Sequence, residues 1–143
     1  MVVPASTTAV RIVAAAVRGM AETVLAPEDA DHVEVVTAEV GNNIVTHGLG
    51  AGEACCHGES FLLSIMVNPQ CVTMEFVDDG PPFDPVSALP GTPEESVARG
   101  GGGLGLYIMR RIMDELSYRR VGGSNVFRLV KRGTARVSEE DAQ

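Results

Sequence analysis

Two pairs of short segments, each pair joined by a tight turn, limit what this 143-residue chain can become. Ser60–Val67 and Val72–Val77 are split by the turn Asn68-Pro69-Gln70, and Ser117–Val121 and Asn125–Val130 are joined by Gly122-Gly123-Ser124. Links this short make hairpins, because parallel neighbours need a crossover of roughly a dozen residues or more. The strands therefore come in antiparallel pairs, and the helices must sit between and before them.

Three segments show helical periodicity. Ser6-Thr7-Thr8 offers an N-cap to a stretch in which Val10, Ile12, Val13, Val17, Met20 and Ala21 recur at helical spacing as far as Leu25. Pro27 restarts the chain as a first-turn residue, with Glu28, Asp29 and Asp31 near the positive end of the helix dipole. This second helix is predicted to run to about His47, where Gly48-Leu49-Gly50 stops it and the Gly/Ala loop Gly48–Gly58 follows. A third helix is predicted over Leu104–Leu116, through Leu106, Ile108, Met109, Ile112 and Met113. Between the hairpins, Pro-rich Gly80–Pro93 and the run Gly100–Gly103 bracket a loop that cannot hold a long regular element. The order helix, helix, hairpin, loop, helix, hairpin predicts an α+β, two-layer α/β sandwich. Its mixed, mainly antiparallel sheet carries the helices on one face. A polar tail from Gly133 is expected to fray.

Hydrophobic residues at 45% and charged residues at 21% are the composition of a globular domain. A net charge of −8 repels phosphate backbones at long range, so direct nucleic-acid binding is not expected; a local nucleotide pocket is still compatible with it. Cys55, Cys56 and Cys71 give neither a disulfide framework nor zinc spacing. Cys55-Cys56-His57 reads either as a metal site or, as the spacing favours, as surface-loop residues. No apolar run approaches the roughly 20 residues of a membrane span, and Met1-Val2-Val3-Pro4 is not a signal peptide. A soluble, cytoplasmic protein with no membrane partner is the expectation.

Three segments can carry chemistry. Glu39, Asn43 and His47 stand four apart and line one stripe of the second helix, while Val36, Val40 and Ile44 make an apolar stripe for the core. Asn42 sits one step round and faces elsewhere. A carboxylate and a carboxamide one turn apart can share a hard cation such as magnesium, which takes oxygen ligands; the same pattern also reads as a solvated polar stripe. Next, Val77-Asp78-Asp79-Gly80-Pro81-Pro82 sets an acidic residue at a strand end before a stiff turn. There Asp78 can accept a hydrogen bond from an exocyclic amine at a pocket floor, or simply start a turn. Finally, Arg99 and Gly100-Gly101-Gly102-Gly103-Leu104-Gly105 lead into a helix, which suits phosphate binding by backbone amides and also reads as a hinge. Gly100, Gly102 and Gly105 satisfy G-x-G-x-x-G, but no apolar strand precedes them and no acidic residue lies about 20 positions on, so a dinucleotide fold is excluded. No Lys-Ser or Lys-Thr follows, which excludes a P-loop.

The order of these three segments resembles the GHKL, or Bergerat-fold, ATPases, the group that contains histidine-kinase catalytic domains and gyrase B. Within it the likeness is to the small anti-sigma-factor serine/threonine kinases, over roughly residues 5–132. Glu39–Asn43 looks like the N box, Asp78–Gly80 like the first glycine box and Gly103–Gly105 like the second. The run from Asp78 to Pro85, the short lid and the ending Gly123-Ser124-Asn125-Val126 through Lys131-Arg132 are marks of the anti-sigma branch.

The resemblance implies an ATP-binding kinase domain over residues 1–132 with ATP and Mg2+ as cofactors, followed by the tail 133–143. Asn43 is then the magnesium ligand and Glu39 the residue that orients or deprotonates the attacking hydroxyl. His47 extends the site, Asp78 takes the adenine amine, and Gly80 gives the base room. Gly101, Gly102, Gly103, Leu104 and Gly105 cradle the phosphates, and Arg99 reaches the terminal phosphate. The implied partners are a STAS-type anti-anti-sigma protein, a sigma factor and a second copy of the chain.

That homodimer would use the N-terminal strand and first helix, where Val10, Val13 and Val17 read equally well as core. Two departures stand out. Pro82 replaces the second glycine of D-x-G-x-G, and His32 lacks the H-E-x-R-T-P context of a phosphorylated histidine, so it is expected to be an exposed helix residue. The competing readings are a non-catalytic nucleotide-gated switch and a detached histidine-kinase catalytic domain.

Overall fold

The computed structural model describes residues 1–48, 59–86, 94 and 104–133, with 47, 48 and 104 described in their backbone alone. One five-stranded sheet runs in the order β1-β2-β3-β5-β4. Its strands are β1 (Val2–Pro4), β2 (Ser60–Asn68), β3 (Cys71–Asp78), β4 (Glu115–Val121) and β5 (Ser124–Arg132). The helices are α1 (Thr7–Ala21), α2 (Pro27–Asn43) and α3 (Leu104–Ile112). All four strand pairings are antiparallel, so among the described residues the sheet is not mixed. The α+β architecture is as the segment order requires.

Both hairpin turns follow from their residues. Asn68 pairs with Cys71, leaving Pro69-Gln70 as the turn, with Gln70 at φ 65°. Val121 pairs with Ser124, and Gly122 and Gly123 take φ of 56° and 84°. Two consecutive positive φ values match the right-handed strand twist and cost an L side chain strain at each, which glycine avoids.

The core lies between the sheet and the helices. Phe61 and Leu63 of β2, Met74 and Phe76 of β3 and Leu129 of β5 meet Val10, Val17, Val33, Val36 and Val40. In α1 the buried residues are Val10, Ala14, Val17 and Ala21. Ile12, read above as part of the apolar stripe, is 65% exposed, because two residues past Val10 lies about 200° round the helix. Val10 and Val17 are buried in the chain's own core. Gly41 of α2 sets how closely α1 approaches: a Cβ there would meet Val10 Cγ1 at 2.7 Å. Alanine has the better helix propensity by about 1 kcal/mol, but overpacking costs 1–3 kcal/mol, so glycine is the better fit. On the surface, Arg18 ties α1 to α2 through Asp31 and Glu34 and also pairs with Glu22 at the end of its own helix. The hydrogen bond to Asp31 holds its guanidinium above its ordinary range. Exposed pairs of this kind contribute little.

Three expectations change. The second helix does continue past Asn43, but as a π turn over Ile44–Gly48 rather than as α-helix. The third helix ends at Ile112 and not at Leu116, which pairs with Leu129 in the sheet. The stop is tertiary: Lys131 Nζ donates to the Ile112 carbonyl at 2.6 Å, and Asp114 exchanges hydrogen bonds with Val130 and Arg132. Finally, His32 is half-buried with Nδ1 unpartnered, not an exposed residue. The tail 134–143, Cys55, Cys56 and His57 lie outside the described residues.

Candidate functional site

Where α2 and β3 end and α3 and β5 begin, a cavity of about 200 Å3 opens. Its apolar lining is Val40, Ile44, Leu106, Met109 and Phe127 from the helices and β5, with Pro81, Pro82, Phe83 and Pro85 from the segment after β3. Among the described residues its polar groups are Asn43, Asp78, Asn125 and Tyr118. An apolar cleft with a small set of converging polar groups is the usual form of a small-molecule site.

Asp78 is the last residue of β3 and only 8% exposed. A buried carboxylate must be hydrogen-bonded to be tolerated. Gly80 N–H donates to its Oδ1 at 2.9 Å and the Asn125 carboxamide donates to the same oxygen at 3.0 Å. Among the described residues both bonds fall on Oδ1, which leaves the second carboxylate oxygen to accept from a donor brought into the cavity. Gly80 is itself buried, and its carbonyl accepts from Arg120 Nη1 at 2.8 Å. Asp79 is exposed and bonded by Ser124, so of the two adjacent acids only Asp78 faces the cavity.

The helix pair Glu39 and Asn43 divides between two places. Asn43 lines the cavity. Glu39 is not part of that lining; its carboxylate lies against the backbone of Gly105 at the start of α3, where a Cβ would overlap Oε2. With the carboxylate in this position only glycine leaves room, which gives Gly105 a role in placing Glu39 beyond loop flexibility. Two of the three sequence segments thus meet at Glu39–Gly105, and Leu106 carries the contact on into the cavity beside Asp78. Asn42 faces away, as expected, onto a groove with Thr7, Thr8 and Arg11. Arg99, Gly100, Gly101, Gly102 and Gly103 lie outside the described residues, as do the side chains of His47 and Leu104.

Sequence reasoning passed over Asn125, Tyr118, Arg120 and Phe83. Asn125 carried a readable signal. Asparagine is depleted in strands, and this one alternates with Phe127 and Leu129 on the inward face. A buried amide at such a position demands partners; Tyr118 and Arg120 are near in the chain, but Asp78, Pro81 and Phe83 lie 47, 44 and 42 residues away.

No group of three or more His, Cys, Asp or Glu among the described residues could hold a metal ion. A magnesium ion at Asn43 would therefore take its other oxygens from bound phosphates and retained water, the manner in which magnesium is commonly held in kinase sites. The donor set fits magnesium in that form. No helix among the described residues is long and apolar enough to cross a membrane.

Comparison with known proteins bears on the same residues. A family model described as histidine kinase-like ATPase domain matches residues 3–131. No curated protein matches the chain.

Proposed function

From a chain that belongs to the histidine kinase-like ATPase family, and so is an ATP-binding, kinase-like domain, we propose a specific anti-sigma activity. The protein is a serine/threonine kinase that transfers the γ-phosphate of ATP to a STAS-type anti-anti-sigma partner. In an alternative complex it sequesters a sigma factor. The observation that carries the nucleotide part is Asp78, buried at the cavity floor with both described bonds on one oxygen. The anti-sigma branch rests on the resemblance of the Asp78–Pro85 run and the short lid.

In this reading Asp78 accepts the exocyclic amine of adenine, and the apolar walls bury the base. Asn43 supplies a protein oxygen to magnesium. Magnesium-bound ATP supplies the phosphoryl group and much of the charge neutralisation. Glu39 takes the proton from the Ser or Thr hydroxyl as that oxygen bonds to the γ-phosphorus. The bond to the β–γ bridging oxygen breaks, and ADP leaves with its electrons. A homodimer would draw on exposed apolar residues such as Val2 and Ile12, since Val10 and Val17 are already buried.

The test is radiolabelled ATP with a co-encoded STAS protein. Glu39→Ala is expected to abolish transfer while sparing nucleotide binding, and Asp78→Asn to lose binding. Transfer by Glu39→Ala at near the wild-type rate would remove the role given to Glu39. Binding without transfer by the wild type would favour a nucleotide-gated switch.

A further inference from the structure

Resting on that reading of Asp78, we propose that Asn125 is a positioning residue that sets nucleobase selectivity, with Arg120 as its support. Asn125 is 5% exposed and stands at the start of β5, opposite Asp78 in the strand register. Its carboxamide nitrogen donates to Asp78 Oδ1 at 3.0 Å and to the Pro81 carbonyl at 2.9 Å, with Gly80 O at 3.4 Å. Its oxygen accepts from Tyr118 Oη at 2.6 Å, from Arg120 Nη1 at 3.0 Å and from Phe83 N–H at 3.4 Å. The amide can face only one way. A guanidinium only donates, whereas a carboxylate and two carbonyls only accept.

One side chain therefore grips both ends of the segment that forms the outer wall of the cavity. It holds Asp78 before the turn and Pro81 and Phe83 after it. Arg120 reinforces the grip by donating both to Asn125 and to the Gly80 carbonyl. This matters for selectivity because a free carboxylate turns about its χ angles, whereas Asp78 is bonded through Oδ1 and presents Oδ2 in a fixed direction. A fixed acceptor rewards a purine bearing an amine at position 6 and penalises one bearing a carbonyl there, since two acceptors would face each other unpaired. Asn125 reaches the nucleotide through Asp78, and its effect should appear as lost discrimination rather than as lost binding of every nucleotide.

The experiment is competition of ATP and of inosine triphosphate against a fluorescent ATP analogue, on the full chain with magnesium. The wild type is expected to prefer ATP. Asn125→Ala should weaken ATP by about tenfold or more, the scale of a lost bond to a charged group. Inosine triphosphate should change far less, so the preference collapses. Arg120→Met removes an exposed residue's guanidinium and should give a smaller loss in the same direction; it decides the matter if Asn125→Ala fails to fold by circular dichroism. A wild-type ATP preference in both variants overturns the proposal, whatever happens to overall affinity. Asp78→Asn separates the levels. If Asp78→Asn loses ATP while the Asn125 and Arg120 variants keep the wild-type preference, only this inference fails; if the wild type shows no preference, the reading of Asp78 fails and takes this inference with it.

Discussion

Gly105 carries one of the most specific demands in the molecule, because its missing Cβ is the space that the Glu39 carboxylate occupies. The obstruction in Gly105→Ala would be the far end of a flexible side chain, so the fold should survive and the carboxylate should move instead. Displacement of a reacting group by about 1 Å costs on the order of a hundredfold in rate. Gly105→Ala is therefore expected to lose phosphoryl transfer on that scale, with nucleotide affinity much less affected. Transfer assays set beside equilibrium binding check this, and transfer at the wild-type rate would show that Glu39 is not placed by that contact. At this scale the sequence was partly legible. Glu39, Asn43, Asp78 and Gly105 were all singled out from spacing and resemblance, but that Glu39 lies against Gly105 and outside the lining of the cavity was not visible in a helical projection. Phe83 gave no signal, since an aromatic after Pro-Pro reads as a loop residue until its neighbours are known.

Among the elements, the end of α3 shows a local pattern overruled by its surroundings. Periodicity through Met113 favours more helix, yet Lys131 of β5 captures the Ile112 carbonyl and β5 pairs with the residues beyond. Lys131 also faces Asp29 in the first turn of α2 at 3.4 Å, with side-chain exposures of 10% and 15%. One ammonium thus joins the start of α2, the end of α3 and the end of β5. Lys131→Met keeps the aliphatic stem but leaves a helix-end carbonyl and a mostly buried carboxylate without their donor. Breaking a buried pair costs 3–5 kcal/mol. Asp29 retains the favourable field of its helix N-terminus, so a loss near the lower end, about 3 kcal/mol, is expected. A fall in Tm of roughly 10 °C by circular dichroism is the corresponding observation, and a change of a degree or two would show that water already serves those groups.

For the whole molecule, nucleotide binding should appear as stability, because the cavity joins parts distant in sequence. A ligand at a hundred times its Kd stabilises the folded state by about 2.7 kcal/mol, which for a domain of this size raises Tm by roughly 10 °C. Magnesium-ATP should produce that shift in the wild type and little in Asp78→Asn; equal shifts in both would place the nucleotide elsewhere. What the sequence determined by itself was local. Turn chemistry at Pro69-Gln70 and Gly122-Gly123 set both hairpins, and apolar periodicity set the helices and most of their buried stripes, because these depend on residues within one turn or pair of each other. The tertiary structure decided the rest. It buried Val10 and Val17 inside the chain, stopped α3 at Ile112 and brought Asn125 onto Asp78, 47 residues earlier in the chain. Each of these depends on which element lies alongside, and an unmet donor or acceptor in a sequence shows that a partner is needed without saying where it comes from.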